Sequence, residues 1–263
     1  MSAIWVALGS TTALFLLGAI QGATEFLPVS SSGHLIIFGH WFGLESGEGL
    51  SREIALHFGT LLAVILFCRR DIISMLSAGS SGLWKLVLGA SVVTAGLGIP
   101  LKDKISSDLS EPFTAGWFLL GTTFLLVVLA PRSDEKLTRQ IGQGTWSHAL
   151  ILGLFQSLAL APGISRAGAT LVGALLLGYG RQDAVRIAFL ISIPAVGGAV
   201  LLDAWQGHAL ELAREPDMLS AMLVAFLVGI LALRFIAVHV DAPSLRKFGY
   251  YTGLLGVAAI LTA

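Results

Sequence analysis

Residues 21–40 read QGATEFLPVSSSGHLIIFGH, a polar interruption in an otherwise apolar chain. A glutamate, a proline, three consecutive serines and a histidine stand between runs of hydrophobic residues. Ionisable groups in hydrocarbon cost several kcal/mol unless they are paired or wetted. Pro28 has no N–H and cannot continue the helix that leads to it, so the carbonyls of the preceding turn lose their partners. In a bilayer such carbonyls must be satisfied by protein or by a water-filled cavity. The serines that follow are N-cap residues for a second helix, where a hydroxyl accepts from an orphan N–H. The stretch therefore predicts helix, break, serine turn and short helix, folded around a polar cavity.

Composition places this interruption in a membrane. Of 263 residues, 55% are hydrophobic and 12% charged, against roughly 25% charged in ordinary soluble domains, and the mean hydropathy is +0.84. Apolar segments cover 4–27, 33–44, 54–68, 84–100, 113–130, 148–161, 167–179, 184–203, 219–238 and 248–263. The longer ones match a hydrocarbon core of about 30 Å. They are continuous rather than alternating, which excludes a transmembrane barrel. Sixteen basic and sixteen acidic residues balance, so no basic surface points to nucleic acid. The single cysteine, Cys68, allows no internal disulfide and no cysteine metal cluster. The N-terminus lacks a basic region and a small-residue cleavage site, so its first apolar stretch is expected to remain as a helix. Basic loops do not separate cleanly along the linear sequence, and orientation stays open. His40, Trp41, His148 and Trp205 are expected at the interface, and Asp203 and Arg234 at segment ends, where snorkelling accounts for them.

The interruption occurs twice. LGAIQGATEFLPVSSSGHLIIFG (17–39) resembles LGLFQSLALAPGISRAGATLVGALLLG (152–178). At one offset of 135 residues, Gly18 aligns with Gly153, Gln21 with Gln156, Ser30 with Ser165 and Gly33 with Gly168. Residues 1–131 and 146–263 are thus expected to be two repeats of one membrane domain, 1–263, with 131–147 as linker. The segments 33–44 and 167–179 are too short to span and fit helices that enter the membrane and turn back. Short Gly/Pro-interrupted segments at matching places in two halves point to a midplane binding site.

Two half-helix N-termini aimed into one cavity favour an anion. Arg166, beside Ser165, has the fork geometry that suits phosphate or carboxylate; its alternative is a structural ion pair with Glu25. Gln21 and Glu25 are four apart and share a helix face, and their hard oxygens suit Mg2+ or Ca2+. His34 lies three residues after Ser31, a spacing that suits a general base acting on a serine hydroxyl. Thr170 either adds a hydroxyl to the anion or back-bonds to its own helix. His57 either faces the same cavity or is a hydrogen-bonded helix histidine. There is no G-x-x-x-x-G-K-S/T nucleotide loop and no H-E-x-x-H zinc helix. G-I-S-R-A-G is not a nucleophile elbow, because Ala167 breaks the G-x-S-x-G pattern. The type 2 phosphatidic-acid phosphatases need a histidine six residues after their arginine, where this chain has Val172. Transport of an anionic lipid or small anion is the rival reading, since broken helices and midplane charges also serve transporters.

QGATEFLPVSSSGH (21–34) and APGISRAGAT (161–170) closely resemble the two signature motifs of the undecaprenyl-diphosphate phosphatase family of the bacitracin-resistance type, in the right order. FGTLLAVILFCRRD (58–71) and the helical pattern extend the resemblance over essentially the whole chain. The resemblance implies an all-α polytopic fold of two inverted-topology repeats, with about six full transmembrane helices plus re-entrant pairs. It implies hydrolysis of a polyprenyl diphosphate to the monophosphate, dependence on a divalent cation, and a site on the outer face of a bacterial plasma membrane. The lipid substrate is the implied partner, and a homodimer is an open one. Carried over by position, Ser31, His34, Glu25 and Arg166 are the expected catalytic residues. Gln21, Ser30, Ser32, Gly163, Ser165 and Thr170 are the expected substrate-binding set, and Glu25 with Gln21 the cation ligands. Gln21 stands where many members have glutamate, Ala167 replaces a usual serine, and His57 stands where an uncharged polar residue is expected.

Overall fold

The computed structural model describes residues 9–42, 49–75, 81–109, 111–134, 136–206 and 215–263. The expected helical residues 4–8 and 43–44 lie outside these. The chain forms α1 (Gly9–Glu25), α2 (Ser31–Trp41), α3 (Gly49–Phe67), α4 (Arg69–Met75), α5 (Ser81–Asp108), α6 (Pro112–Phe124), α7 (Trp146–Leu158), α8 (Arg166–Leu176), α9 (Arg181–Gln206), α10 (Pro216–Val238) and α11 (Ala242–Thr262). Proline in the first turn starts α6, α10 and α11, where its missing N–H costs nothing. Among the described residues there is no β-strand, only a backbone bridge between Arg139 and Tyr179.

Among the described residues, four stretches are long and apolar enough to cross a bilayer: Ser81–Leu101, Pro112–Leu129, Arg181–Trp205 and Pro216–Val238. Two more helices have the length but not the uniform apolarity. α3 has 19 residues and carries Arg52, Glu53 and His57, and α11 has 21 and carries Arg246 and Lys247. At 1.5 Å per residue they reach about 28–32 Å. This is an all-α polytopic membrane protein. Leucines exposed along α10, such as Leu223, Leu227 and Leu231, face the hydrocarbon. α2 and α8 are 11 residues each, too short to cross.

Close approaches fix the direction of each helix. A methyl group on Gly18 would come within 2.4 Å of the Ala221 carbonyl oxygen, and one on Gly22 within 2.6 Å of the Ala225 oxygen, so α1 runs parallel to α10. Gly59 meets Met222 in the same way, so α3 also runs parallel to α10. Gly89 lies on Ala149 and Gly153 on Val93, so α7 runs parallel to α5. Small residues at such crossings let backbones meet where no hydrophobic force between helices exists. The packing is reciprocal: α1 of the first half lies on α10 of the second, and α7 of the second lies on α5 of the first.

Two ends of the molecule follow. At one end α1, α3, α6 and α10 begin and α11 finishes, with Trp41 donating to Thr262 at 3.1 Å. At the other end α3 and α6 finish and α5, α7 and α9 begin. There Arg181 donates to Asp134 at 2.7 Å and to the Val240 carbonyl at 3.3 Å. The α1–α2 hairpin therefore enters from the first end and the α7–α8 hairpin from the second. Between them and the second end lies the main apolar core, including Phe26, Val64, Leu171, Val172, Leu190 and Leu233.

Gly59→Val should overpack the α3–α10 contact and destabilise the protein by about 1–3 kcal/mol, read as a lower thermal midpoint in detergent. Gly39→Ala, whose methyl meets nothing within 4 Å, should leave the midpoint unchanged or raise it.

Candidate active site

The tips of the two hairpins touch. A methyl on Gly33 would come within 3.0 Å of the Gly163 Cα, and one on Gly168 within 3.3 Å of the Pro28 Cβ. Each tip is built by a serine N-cap: Ser30 Oγ accepts from the Gly33 N–H at 3.3 Å, and Ser165 Oγ from the Gly168 N–H at 3.0 Å. Ser30 holds φ at 70°, the left-handed region, and is the only non-glycine residue to do so among those described. Such a conformation costs about 1–3 kcal/mol and persists only where its surroundings enforce it. Here they do: the Ser30 carbonyl accepts from His34 Nδ1 at 2.7 Å while its hydroxyl caps α2. Gly163, with φ of 110°, turns the second tip where any Cβ would strike the Ala115 carbonyl at 2.5 Å.

Glu25, the last residue of α1, is the hub. Ser31 donates to its Oε2 at 2.5 Å, and Gln21 Nε2 donates to the same oxygen at 3.1 Å. His57 Nε2 lies 3.3 Å from it. Arg166, the first residue of α8, pairs with the other oxygen, Oε1. A carboxylate whose side chain is only 4% exposed is tolerable in a membrane because Gln21, Ser31 and Arg166 donate to it, with the His57 ring alongside. The Arg166 side chain is 21% exposed, and its guanidinium offers five N–H donors, more than Glu25 takes up.

The structure thus brings Gln21, Glu25, Ser31 and Arg166 together, and it assigns different work to others. His34 does not bond Ser31, as its spacing suggested. Its side chain reaches back along α2 to the Ser30 carbonyl, and its Nε2 accepts from the Tyr251 hydroxyl at 2.8 Å. The acceptor of the Ser31 proton is Glu25. Thr170 back-bonds to the Arg166 carbonyl at 2.7 Å and is fully buried, so its hydroxyl is turned away from the site. Ser30 and Ser165 serve as caps, with Ser32 lying 3.4 Å from the Ser30 hydroxyl. Asp203 is buried rather than snorkelling at a helix end.

Several site residues come from outside the motifs. His57, left open on sequence, is a direct neighbour of Glu25, and its Nδ1 is bonded to the Glu53 carbonyl at 2.7 Å. Thr60 accepts from Gln21 at 3.3 Å. Thr122 of α6 donates to the Gly163 carbonyl at 2.8 Å and accepts from the Ser165 N–H at 2.9 Å. Each tip is therefore held by the last helix of the opposite half: the second by Thr122, the first, through His34, by Tyr251. Only the polar residues at helical spacing on α3, Glu53, His57 and Thr60, were a signal in the sequence. Glu53 and His57 stand one turn apart and only partly buried, so a polar line runs along α3 from the first end to Glu25.

A serine hydroxyl, a carboxylate and an arginine at the meeting of two re-entrant hairpins define the class: a polytopic membrane protein with a buried polar cluster at its centre. The chain belongs to the family described as bacitracin resistance protein BacA, whose model matches residues 14–258. It is similar to the undecaprenyl-diphosphatase of Rubrobacter xylanophilus, 39% identical over 94% of this chain and 96% of that one. The undecaprenyl-diphosphatase of Methanococcus vannielii is 38% identical over 93% and 97% of the two chains. That of Trichlorobacter lovleyi is 36% identical over 93% and 94%.

Thr122→Val keeps the shape of the side chain but orphans a buried carbonyl and a buried N–H at the second tip. It should cost about 1–3 kcal/mol for each group left unsatisfied, measured as a fall in the unfolding midpoint.

Proposed function

We propose that this chain hydrolyses undecaprenyl diphosphate to undecaprenyl phosphate and phosphate. The observation that carries the reading is the Ser31 hydroxyl donating to Glu25 at 2.5 Å beside the Arg166 guanidinium, a nucleophile, a base and an anion anchor in one place. Transport of an anion has no use for a serine aligned on a carboxylate. The relatives named above carry the same activity in their names.

The mechanism follows from the donors. The diphosphate draws Arg166 from Glu25 onto the terminal phosphoryl oxygens, where its fork bonds two at once. The freed carboxylate takes the Ser31 proton as Oγ attacks the terminal phosphorus. The bond to the bridging oxygen breaks, and undecaprenyl monophosphate leaves with that oxygen and its electrons. Water then attacks the phosphoserine, the Oγ–phosphorus bond breaks, Ser31 takes back the proton held on Glu25, and phosphate leaves with the hydrogens of the water. Positioning and charge stabilisation supply most of the acceleration in such transfers. His34 acts at one remove, holding the strained Ser30 turn that presents Ser31. His57 and Gln21 hold the carboxylate in place.

A divalent cation fits the donor chemistry. Gln21 Oε1 is buried without a hydrogen-bond partner next to Glu25, and these hard oxygens would hold Mg2+ or Ca2+. When bound, the cation neutralises phosphate charge.

Orientation follows from the two ends. Among the described residues, Arg69, Arg70, Lys85, Arg132, Lys136, Arg139, Arg181, Arg186, Arg234, Arg246 and Lys247, eleven residues, lie toward the second end, against Arg52, Lys102 and Lys104, three, toward the first. Basic residues collect on the cytoplasmic side, so the second end is cytoplasmic in a bacterial plasma membrane. The polar line of Glu53 and His57 then opens the site to the outer face, while the apolar core closes it from within.

Phosphate release from a polyprenyl diphosphate in detergent with Mg2+ tests the reading. Ser31→Ala, Glu25→Gln and Arg166→Ala should each lower kcat by at least about 100-fold, and Arg166→Lys should not restore it. Wild-type protein that releases no phosphate while moving the lipid across vesicles contradicts the proposal. Chelation should abolish activity, and Gln21→Leu should raise the cation concentration needed to restore it.

A further inference from the structure

A second cationic site lies far from the hairpin tips. The C-terminal ends of α3 and α10 diverge to leave a groove of about 920 Å³ on the lipid-facing perimeter. Its floor is apolar, formed by Phe67, Leu227, Ile230 and Leu231, of which Leu227 and Leu231 are well exposed. Its rim carries Arg69 and Arg70 from the start of α4 and Arg234 from α10, and no acidic residue lines it. The nearest carboxylate in sequence, Asp71, is engaged by Arg186. Three arginines therefore line one groove with no acidic residue beside them in its lining, Arg69 also donating to the Leu66 carbonyl at 2.9 Å.

Depth and chemistry select the occupant. Arg234 is one turn before the end of α10, at the level where side chains reach the headgroups. From there to Leu227 the groove descends about 10 Å into hydrocarbon, at 1.5 Å per residue. Snorkelling alone would let three arginines spread over the surface; here two helix ends bring them to one cleft. Arginine forks bind phosphate oxygens bidentately, and basic pockets between membrane helices on the cytoplasmic side bind anionic headgroups. We propose that the α3–α10 groove holds one anionic diacyl phospholipid, its phosphate on Arg69, Arg70 and Arg234 and an acyl chain along Leu227 and Leu231. The site depends on the proposed orientation only for the leaflet, and not on the proposed reaction.

Native mass spectrometry of the full chain, released from micelles containing equal phosphatidylglycerol and phosphatidylcholine, tests this. The wild type should retain one phosphatidylglycerol in preference to phosphatidylcholine by roughly 100-fold, each of the three arginines contributing a factor of about five. R69Q/R70Q/R234Q should lose at least about tenfold of that preference, and R132Q/K136Q/K247Q, which removes equal charge from the same end, should keep it. Thermal melts without lipid check that both variants fold; should the triple variant fail, Arg69→Gln and Arg234→Gln alone should each weaken retention severalfold. Equal retention of both lipids by wild type, unchanged preference in R69Q/R70Q/R234Q, or an equal loss in R132Q/K136Q/K247Q overturns the proposal, the last by assigning the preference to diffuse charge.

Discussion

A carboxylate buried at membrane depth must be surrounded by donors, and the architecture around Glu25 follows from that requirement. Gln21 supplies one donor from the preceding turn of α1, Ser31 another from beyond the break and Arg166 a third from the other half of the chain, while His57 of α3 lies against the same carboxylate. None of these elements alone can make the arrangement stable. An isolated Arg166 or Glu25 in this place would face an uncompensated desolvation cost, which the pair avoids. In the proposed reaction the same pair is the resting state, which an anion of higher charge opens by competing for the guanidinium.

Each hairpin tip leans on a helix outside its own hairpin. The second tip is closed by Thr122, and the first by the His34–Tyr251 bond, each borrowed from the last helix of the opposite half. The exchange extends to the helices leading in, α1 on α10 and α7 on α5. Within this exchange the two tips have diverged in chemistry. At the offset of 135 residues, Ser31 corresponds to Arg166 and Glu25 to Leu160. One tip brings the serine and the carboxylate, and the other brings the guanidinium, so the cluster forms only where they meet.

The helical breaks, both short helices and both serine caps were legible because each depends on neighbours within four residues: Pro28, Ser30 with Gly33, and Ser165 with Gly168. The Glu25–Gln21 pair was legible for the same reason. The partner of His34 was not, since Tyr251 is 217 residues away and nothing local distinguishes that contact from one with Ser31. Thr170 could be read two ways from spacing, and its burial against α8's own backbone decided for the bond to its own helix. His57 stood out only as an unusual residue type until α3 was placed beside α1. The distribution of basic residues looked mixed along the line of the sequence because re-entrant hairpins do not change sides. Counted by the ends of the folded molecule, it becomes one-sided.

Contact between the two tips is the claim on which the site stands, and a disulfide measures it directly. In a Cys68→Ala background, cysteines at Pro28 and Gly168 would have Cβ atoms about 3.3 Å apart, near the roughly 3.5–4.5 Å of a disulfide. With a protease site placed in the 131–147 linker, mild oxidation followed by cleavage should leave the two halves joined on a denaturing gel until reductant is added. Halves that separate without reductant, with both cysteines still open to maleimide, would contradict the meeting of the hairpins.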